Sequence, residues 1–248
     1  MQIDLDGRWA IGGKIHGGYL LRALAAAVVS DEHPHPLAVS AHFLRAPDAG
    51  TAEVKADVLR TGRRVTQSRA SLSQADLCIE ALVTTGRLHP DADPLWSDTT
   101  PPVLPPLEEC HRMVPDPMPG LHVGHLEFLD LRCDPPTVTF ASGVPGPPGR
   151  LAGWAQVLPE GSQDPVLDLL VVCDAMAPIT FDLGVPGWVP TIELTAYVRA
   201  IPAPGRLVVQ QHGRLLEDGW LDEQCDVWDS RGRLVCQARQ HAGYRAPS

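Results

Sequence analysis

No stretch of 18 consecutive apolar residues occurs in this chain, so nothing in it is long enough to span a bilayer as a helix. The start, Met1-Gln2-Ile3-Asp4-Leu5-Asp6, is acidic and lacks the basic-then-apolar form of a secretory signal. Basic residues are few. Lys and Arg number 20 against 30 Asp and Glu, and a net charge of −10 provides no footprint for the bulk phosphate of a nucleic acid. The six cysteines, at 78, 110, 133, 173, 225 and 236, include no Cys-x-x-Cys pair and sit mostly in apolar runs. They read as reduced core residues of a cytoplasmic protein, not as a disulfide framework. Also missing are a G-x-S-x-G nucleophile elbow, a G-x-x-x-x-G-K-[ST] phosphate loop and a strand-linked G-x-G-x-x-G. Serine chemistry on an α/β-hydrolase scaffold, phosphate-loop nucleotide hydrolysis and dinucleotide binding therefore have no support.

What is present is a repetition. Ser40-Ala41-His42-Phe43-Leu44-Arg45-Ala46, followed by Pro47 and Gly50, reappears as Leu194-Thr195-Ala196-Tyr197-Val198-Arg199-Ala200, followed by Pro202 and Gly205. Downstream, Leu77-Cys78-Ile79-Glu80-Ala81 answers Leu234-Val235-Cys236-Gln237-Ala238. An apolar helix candidate precedes each copy. With 248 residues, 44% of them hydrophobic and 20% charged, the chain suits two modules of about 100–125 residues each.

The first helix opens at Gly17-Gly18 and runs from Tyr19 to Val29, apolar from Leu20 onward except for Arg22. A helix apolar nearly all round is buried on nearly all sides, which a curved sheet around it would achieve. Strands follow at 37–46, 51–60, 65–73 and 77–85, joined by tight turns into an antiparallel meander. Prolines at 90, 94, 101, 102, 105, 106, 115, 117 and 119 exclude helix or central strand there. The expected organisation is a first module over 1–89, a Pro-rich linker over 90–120 and a second module over 121–248. In the second module, strands are expected at 126–132, 137–141 and 154–157. A helix then starts at Asp164 as N-cap with Pro165 at N1 and runs through Met176 to a stop at Pro178. Four more strands fill 191–200, 207–216, 223–228 and 234–244.

Asp174 stands out. It lies in the last turn of an otherwise apolar helix, where burial raises a carboxyl pKa and the helix dipole disfavours an anion by about 0.3–1 kcal/mol. The repetition supplies a control: aligning Phe43 with Tyr197 sets Leu37 opposite Thr191, and aligning Ala81 with Ala238 sets Val83 opposite Gln240. The first helix carries no carboxylate. The second copy thus places Asp, Thr and Gln where the first has apolar residues, which predicts one polar site in a two-module shell.

Gly-Gly leading a buried helix, four strands, a linker, then helix and strands again resembles the double hot-dog acyl-CoA thioesterases of the medium-chain thioesterase II type. The resemblance covers nearly the whole chain. It implies an α+β fold of two tandem hot-dog modules, each with a long helix wrapped by an antiparallel sheet, and hydrolysis of acyl-CoA without metal or other cofactor. In that family an Asp on the second helix, a Thr opening the next strand and a Gln on the final strand bind and activate the hydrolytic water. Asp174, Thr191 and Gln240 match those positions. Glu193-Leu194-Thr195 stands where the family commonly has an acidic residue, His and Ser. A non-catalytic acyl-CoA binder and an enoyl-CoA hydratase are the rival readings on the same fold, the second needing an Asp–His pair not seen near Asp174.

Other residues carry two readings each. Gly17-Gly18 either offers backbone N–H donors to a thioester oxyanion or permits tight packing of the helix on the sheet. His16 reads as structural or loop-positioning. His33-Pro34-His35 reads as a solvated loop more than a metal site, because no Cys or carboxylate cluster completes it. Arg60, Arg63 and Arg64 either meet CoA phosphates or form a solvated turn. Glu193, two residues from Thr191, is expected on the same strand face and is a candidate second acid. Exposed sheet edges favour a homodimer.

Overall fold

A computed structural model describes residues 1–90, 92–185 and 187–244. The first half contains β1 (Gln2–Leu5), β2 (Ala10–Ile11), β3 (Lys14–Ile15), α1 (Gly17–Ala26), β4 (His35–Phe43), β5 (Gly50–Thr61), β6 (Val65–Ser73) and β7 (Leu77–Gly86). The second contains β8 (His111–Arg112), β9 (Leu129–Cys133), α2 (Thr139–Ser142), β10 (Arg150–Val157), α3 (Pro165–Val172), α4 (Ile179–Asp182), β11 (Thr191–Val198), β12 (Leu207–Glu217), β13 (Trp220–Trp228) and β14 (Leu234–Gly243).

All strands but β2 and β3 join one antiparallel sheet of 12 strands in the order β1-β5-β6-β7-β4-β11-β14-β13-β12-β10-β9-β8. The repetition is visible in that order. Outward from the β4–β11 junction, β7, β6, β5 and β1 on one side answer β14, β13, β12 and β10 on the other. β4 and β11 run antiparallel with Leu194 opposite Ala41 and Ala196 opposite Val39, so the end of β4 lies beside the start of β11. That antiparallel junction brings the N-terminus of α1 to the C-terminus of α3.

The two helices pack on each other and on one face of the sheet. Leu20, Leu21 and Leu24 of α1 and Leu169 and Leu170 of α3 are at most 1% exposed, and each such leucine contributes about 1.5–3 kcal/mol of apolar transfer. Arg22, the polar exception in α1, is buried too. Its Nη1 donates to Asp168 Oδ1 at 3.0 Å and to the Gly161 carbonyl at 2.6 Å, clamping α1 to α3. A carboxylate partner and a carbonyl acceptor are what a guanidinium requires when it leaves water.

Both helices are shorter than the sequence suggests. Asp164 Oδ1 accepts from the amides of Val166 and Leu167, capping α3 as expected. α3 ends at Val172 with Cys173 as C-cap, so Asp174 sits just past the helix, its amide donating to Val171 O at 3.2 Å. α1 ends at Ala26, before the β-branched Val28 and Val29. The strand expected at 137–141 is instead a 3-10 turn over Pro135–Thr137 and the short α2, closed by Gly143 at φ +70°. Two consecutive prolines fix φ and remove the amide that a ladder would need. A 3-10 turn, Gly124–Glu127, likewise delays the strand expected from 126 until Leu129. Along 90–120 the chain straps onto the second half: Trp154 Nε1 donates to Pro105 O, and Arg233 Nη1 to Pro90 O and Ala92 O. Asp91, Pro186 and residues 245–248 lie outside the described residues. All six cysteines are unpaired and buried. No helix among the described residues is long and apolar enough to cross a membrane.

Candidate active site

A cavity of about 540 Å³ opens between the N-terminus of α1, the end of β4 and the start of β11. Asp174, Thr191 and Gln240 all line it, together with Gly17, Glu223 and Gln211. Its apolar walls include Leu20, Phe43, Met176 and Trp188.

The Asp174 side chain is 13% exposed. Gly18 N–H donates to its Oδ2 at 2.6 Å. Gly17, the first helical residue, has no acceptor within its own helix for its amide. Burial pushes the Asp174 carboxyl above the usual carboxylate range, against smaller lowering effects from His16 and the Gly18 amide. The carboxylate therefore sits at the wrong end of α3 and the right end of α1. Space confirms why glycines stand at 17 and 18. A Cβ on Gly17 would lie 2.7 Å from Asp174 Oδ2, and one on Gly18 would lie 2.5 Å from the Leu170 carbonyl. The close packing foreseen for this pair is thus against α3 and its following turn.

His16 caps α1 and steadies the carboxylate's backbone. Its Nδ1 accepts from Tyr19 N–H at 3.2 Å, so the ring proton resides on Nε2, which donates to Asp174 O at 2.8 Å with Oδ2 at 3.4 Å. Behind it, His125 stacks at 4.4 Å and donates from Nε2 to Ala175 O. Full burial holds His125 well below the ordinary imidazole range and keeps it neutral.

Thr191 Oγ1 donates to Gln240 Oε1 at 3.1 Å, and Gln240 Nε2 donates to Glu223 Oε2 through a short hydrogen bond. Glu223, 2% exposed, also accepts from Ile179 N–H at 2.6 Å through Oε1. Burial raises its carboxyl pKa, with the nearby Asp174 charge adding to the rise. Sequence reading missed Glu223. Strand register gives its counterpart in the repetition: Ala70 pairs with Ala81 as Cys225 pairs with Ala238, which sets Ser68 opposite Val83 and Glu223 opposite Gln240.

Two expectations change and one open choice narrows. A bulge between Thr191 and Glu193 breaks the alternation. Thr191, Ile192 and Leu194 line the cavity, while Glu193 accepts from Thr195, which in turn reaches Ser40 on the outer sheet face. His33 is buried on Thr66 Oγ1, and His35 Nδ1 accepts from Leu88 N–H, so neither is a solvated loop residue. The Arg60–Arg64 hairpin lies at the wrong end. Val65 and His35 both pair with Gly86, whereas the cavity meets Phe43 and Leu44 at the far end of β4, about 26 Å away for a nine-residue strand. The basic residues at the cavity are Lys14 and Arg45, each already beside an acidic partner, Asp48 and Asp76.

Comparison with known proteins matches this arrangement to one family. Residues 5–86 match the model of the acyl-CoA thioesterase N-terminal domain and residues 101–244 that of the acyl-CoA thioesterase C-terminal domain. An uncharacterized protein of Mycobacterium tuberculosis is 34% identical, over 96% of this chain and 89% of its own length. A candidate thioesterase II of Thermobifida fusca superposes with a TM-score of 0.88 at 34% identity, covering 98% of this chain and 91% of that one. A hot-dog-fold protein of unknown function from Alicyclobacillus acidocaldarius superposes with a TM-score of 0.84 at 18% identity, covering 100% and 93%. The chain therefore has the hot-dog fold, belongs to the acyl-CoA thioesterase family and is a thioester hydrolase.

Proposed function

We propose that the protein hydrolyses acyl-CoA thioesters with a water activated by Asp174, Thr191 and Gln240. The observation that carries this reading is the buried Asp174 carboxylate, made more basic than usual, on the same cavity as the hydrogen-bonded Thr191–Gln240 pair. The acyl chain lies along the apolar wall of Leu20, Phe43, Met176 and Trp188. Water attacks the thioester carbon while Asp174 takes one of its protons. Thr191 and Gln240 hold the water oriented for that attack. The carbonyl oxygen becomes an oxyanion at the N-terminus of α1, where the Gly17 amide receives it while Gly18 keeps the base in place. The tetrahedral adduct then collapses. The carbon–sulfur bond breaks, the CoA thiolate regains the proton from Asp174, and free acid and CoA leave.

Two hot-dog modules, 1–89 and 121–248 joined through 90–120, each with its helix enclosed by the shared sheet, belong to the same proposal. So does a homodimer. Since the sheet edges are β1 of four residues and β8 of two, the outer sheet face with exposed Leu82 and Tyr197 is the favoured contact, which light scattering tests.

The functional test is product analysis with acyl-CoAs of rising chain length. Equimolar CoA thiol and free acid are expected. Binding without thiol release would point to an acyl-CoA carrier, and loss of enoyl absorbance from crotonyl-CoA without thiol release to a hydratase.

A further inference from the structure

Glu223 has no place in the water-activating trio, yet it is the most fully enclosed carboxylate on the cavity. It lies on β13 directly opposite Gln240 on β14. Both its oxygens are acceptors in use: Oε1 for Ile179 N–H and Oε2 for Gln240 Nε2, with further hydrogen bonding from Gln211. Its counterpart in the first half is Ser68, whose hydroxyl is buried and finds no partner. The carboxylate is thus particular to the half that bears Asp174.

A side-chain amide has two faces, and a neighbour of fixed polarity decides which way it points. A carboxylate that only accepts holds the Gln240 NH₂ group toward itself and turns Oε1 toward Thr191. The Thr191 hydroxyl hydrogen then goes to Gln240 Oε1. That leaves the Thr191 lone pairs and the second Gln240 N–H for the cavity. A water there meets two acceptors, Thr191 Oγ1 and the Asp174 carboxylate, for its hydrogens, and one donor for one lone pair. Its remaining lone pair is free to attack.

We infer that Glu223 is a positioning residue that sets the direction of the Gln240–Thr191 hydrogen bonds and thereby orients the hydrolytic water. The inference rests on the reading of Asp174, Thr191 and Gln240 given above. With Glu223→Gln, one acceptor oxygen becomes an NH₂ donor. If Ile179 N–H keeps the remaining oxygen, Gln240 must rotate its amide, and the Thr191 hydroxyl hydrogen is driven into the cavity. A donor then replaces the acceptor that the water needs.

The experiment is a double-mutant cycle on thiol release from hexanoyl-CoA, with butanoyl-CoA and decanoyl-CoA as alternatives if turned over faster. Glu223→Gln is expected to lower kcat about 10–100-fold with KM within about 3-fold, the size of an orientation loss. Acting through Gln240, it should cost less than about 3-fold when added to Gln240→Ala, because groups working as one unit are not additive. Glu223→Asp, which keeps two acceptor oxygens, should retain more kcat than Glu223→Gln, and it carries the same cycle if the amide variant does not fold. Wild-type kcat in Glu223→Gln, or a loss fully additive with Gln240→Ala, overturns the inference. Asp174→Asn separates the two claims. If it is inactive while Glu223→Gln is unimpaired, only the positioning role falls. If Asp174→Asn keeps the wild-type rate, the water-activation reading falls and takes the positioning role with it.

Discussion

The Gly18 amide donates to Asp174 Oδ2 at 2.6 Å across 156 residues of chain. One half of the protein supplies the helix N-terminus and the other the carboxylate. Asp174 follows the negative end of its own helix and faces the positive end of the other, so its charge is tolerated in a buried site without being pushed into the ordinary carboxylate range. Antiparallel pairing of β4 with β11 makes that encounter possible.

Close approach at this point predicts different outcomes for the two glycines. Gly18→Ala places a methyl 2.5 Å from the Leu170 carbonyl, a backbone atom that cannot swing away. A destabilisation of about 1–3 kcal/mol is expected, the cost of overpacking, read as a lower urea midpoint with unchanged slope. Gly17→Ala instead meets the Asp174 carboxylate at 2.7 Å, which can rotate. Its kcat should fall about 10–100-fold while its urea midpoint moves less than that of Gly18→Ala.

Thr191→Val removes the hydroxyl that donates to Gln240 Oε1. A kcat loss of about 10-fold or more is expected at nearly constant KM, since water orientation is lost and acyl contacts are not. Thr191→Ser keeps the hydroxyl and should keep most of the rate. Steady-state kinetics of the two variants checks this.

pH dependence follows from the Asp174 carboxyl. Burial raises its pKa, and hydrolysis needs the ionised form, so activity should fall as pH drops through that raised value, above the range of an ordinary carboxylate. Stability runs the other way. For an acid whose folded pKa is raised, the contribution to stability is present below the unfolded pKa and is lost as pH rises through the folded one. Neutral pH therefore carries the penalty, and Asp174→Asn should remove it. A Tm at pH 7 raised by roughly 2–4 °C is expected, as stability traded for function predicts. A Tm unchanged at pH 7 would show that the carboxylate costs the fold nothing.

Much of this arrangement was legible in the chain. The repeated aromatic-x-Arg-Ala run located β4 and β11. Its residue match is one position out. Ala41 and Ala196 pair with Ala81 and Ala238, so Phe43 corresponds to Val198 and Leu37 to Ile192, not to Tyr197 and Thr191, and a bulge interrupts each strand at Leu37 and Ile192. The match of Gln240 with Val83 holds. Asp174 was visible as an acid at the end of an apolar helix. Other parts were hidden for physical reasons. β1 is four residues long, Gln2–Leu5, too short for periodicity to register. Pro135-Pro136 turned an apparent strand into 3-10 and α2. Glu223 lies in the run Asp222-Glu223-Gln224, where polar residues at successive positions give no sign of which points inward. Only its register opposite Gln240 decides that. The bulge at Thr191 removed Glu193 from the cavity, and nothing in local composition announces a bulge. His16 looked structural; its Nε2 donates to the backbone of Asp174, a contact that only the meeting of the two halves creates.

The most direct measurement is kcat for thiol release from acyl-CoA by the wild type and by Asp174→Asn, with folding of both verified by circular dichroism. A loss of about 10²-fold or more, the contribution of a general base, is expected in a variant at least as stable as the parent at neutral pH. Equal kcat in the two proteins would contradict it.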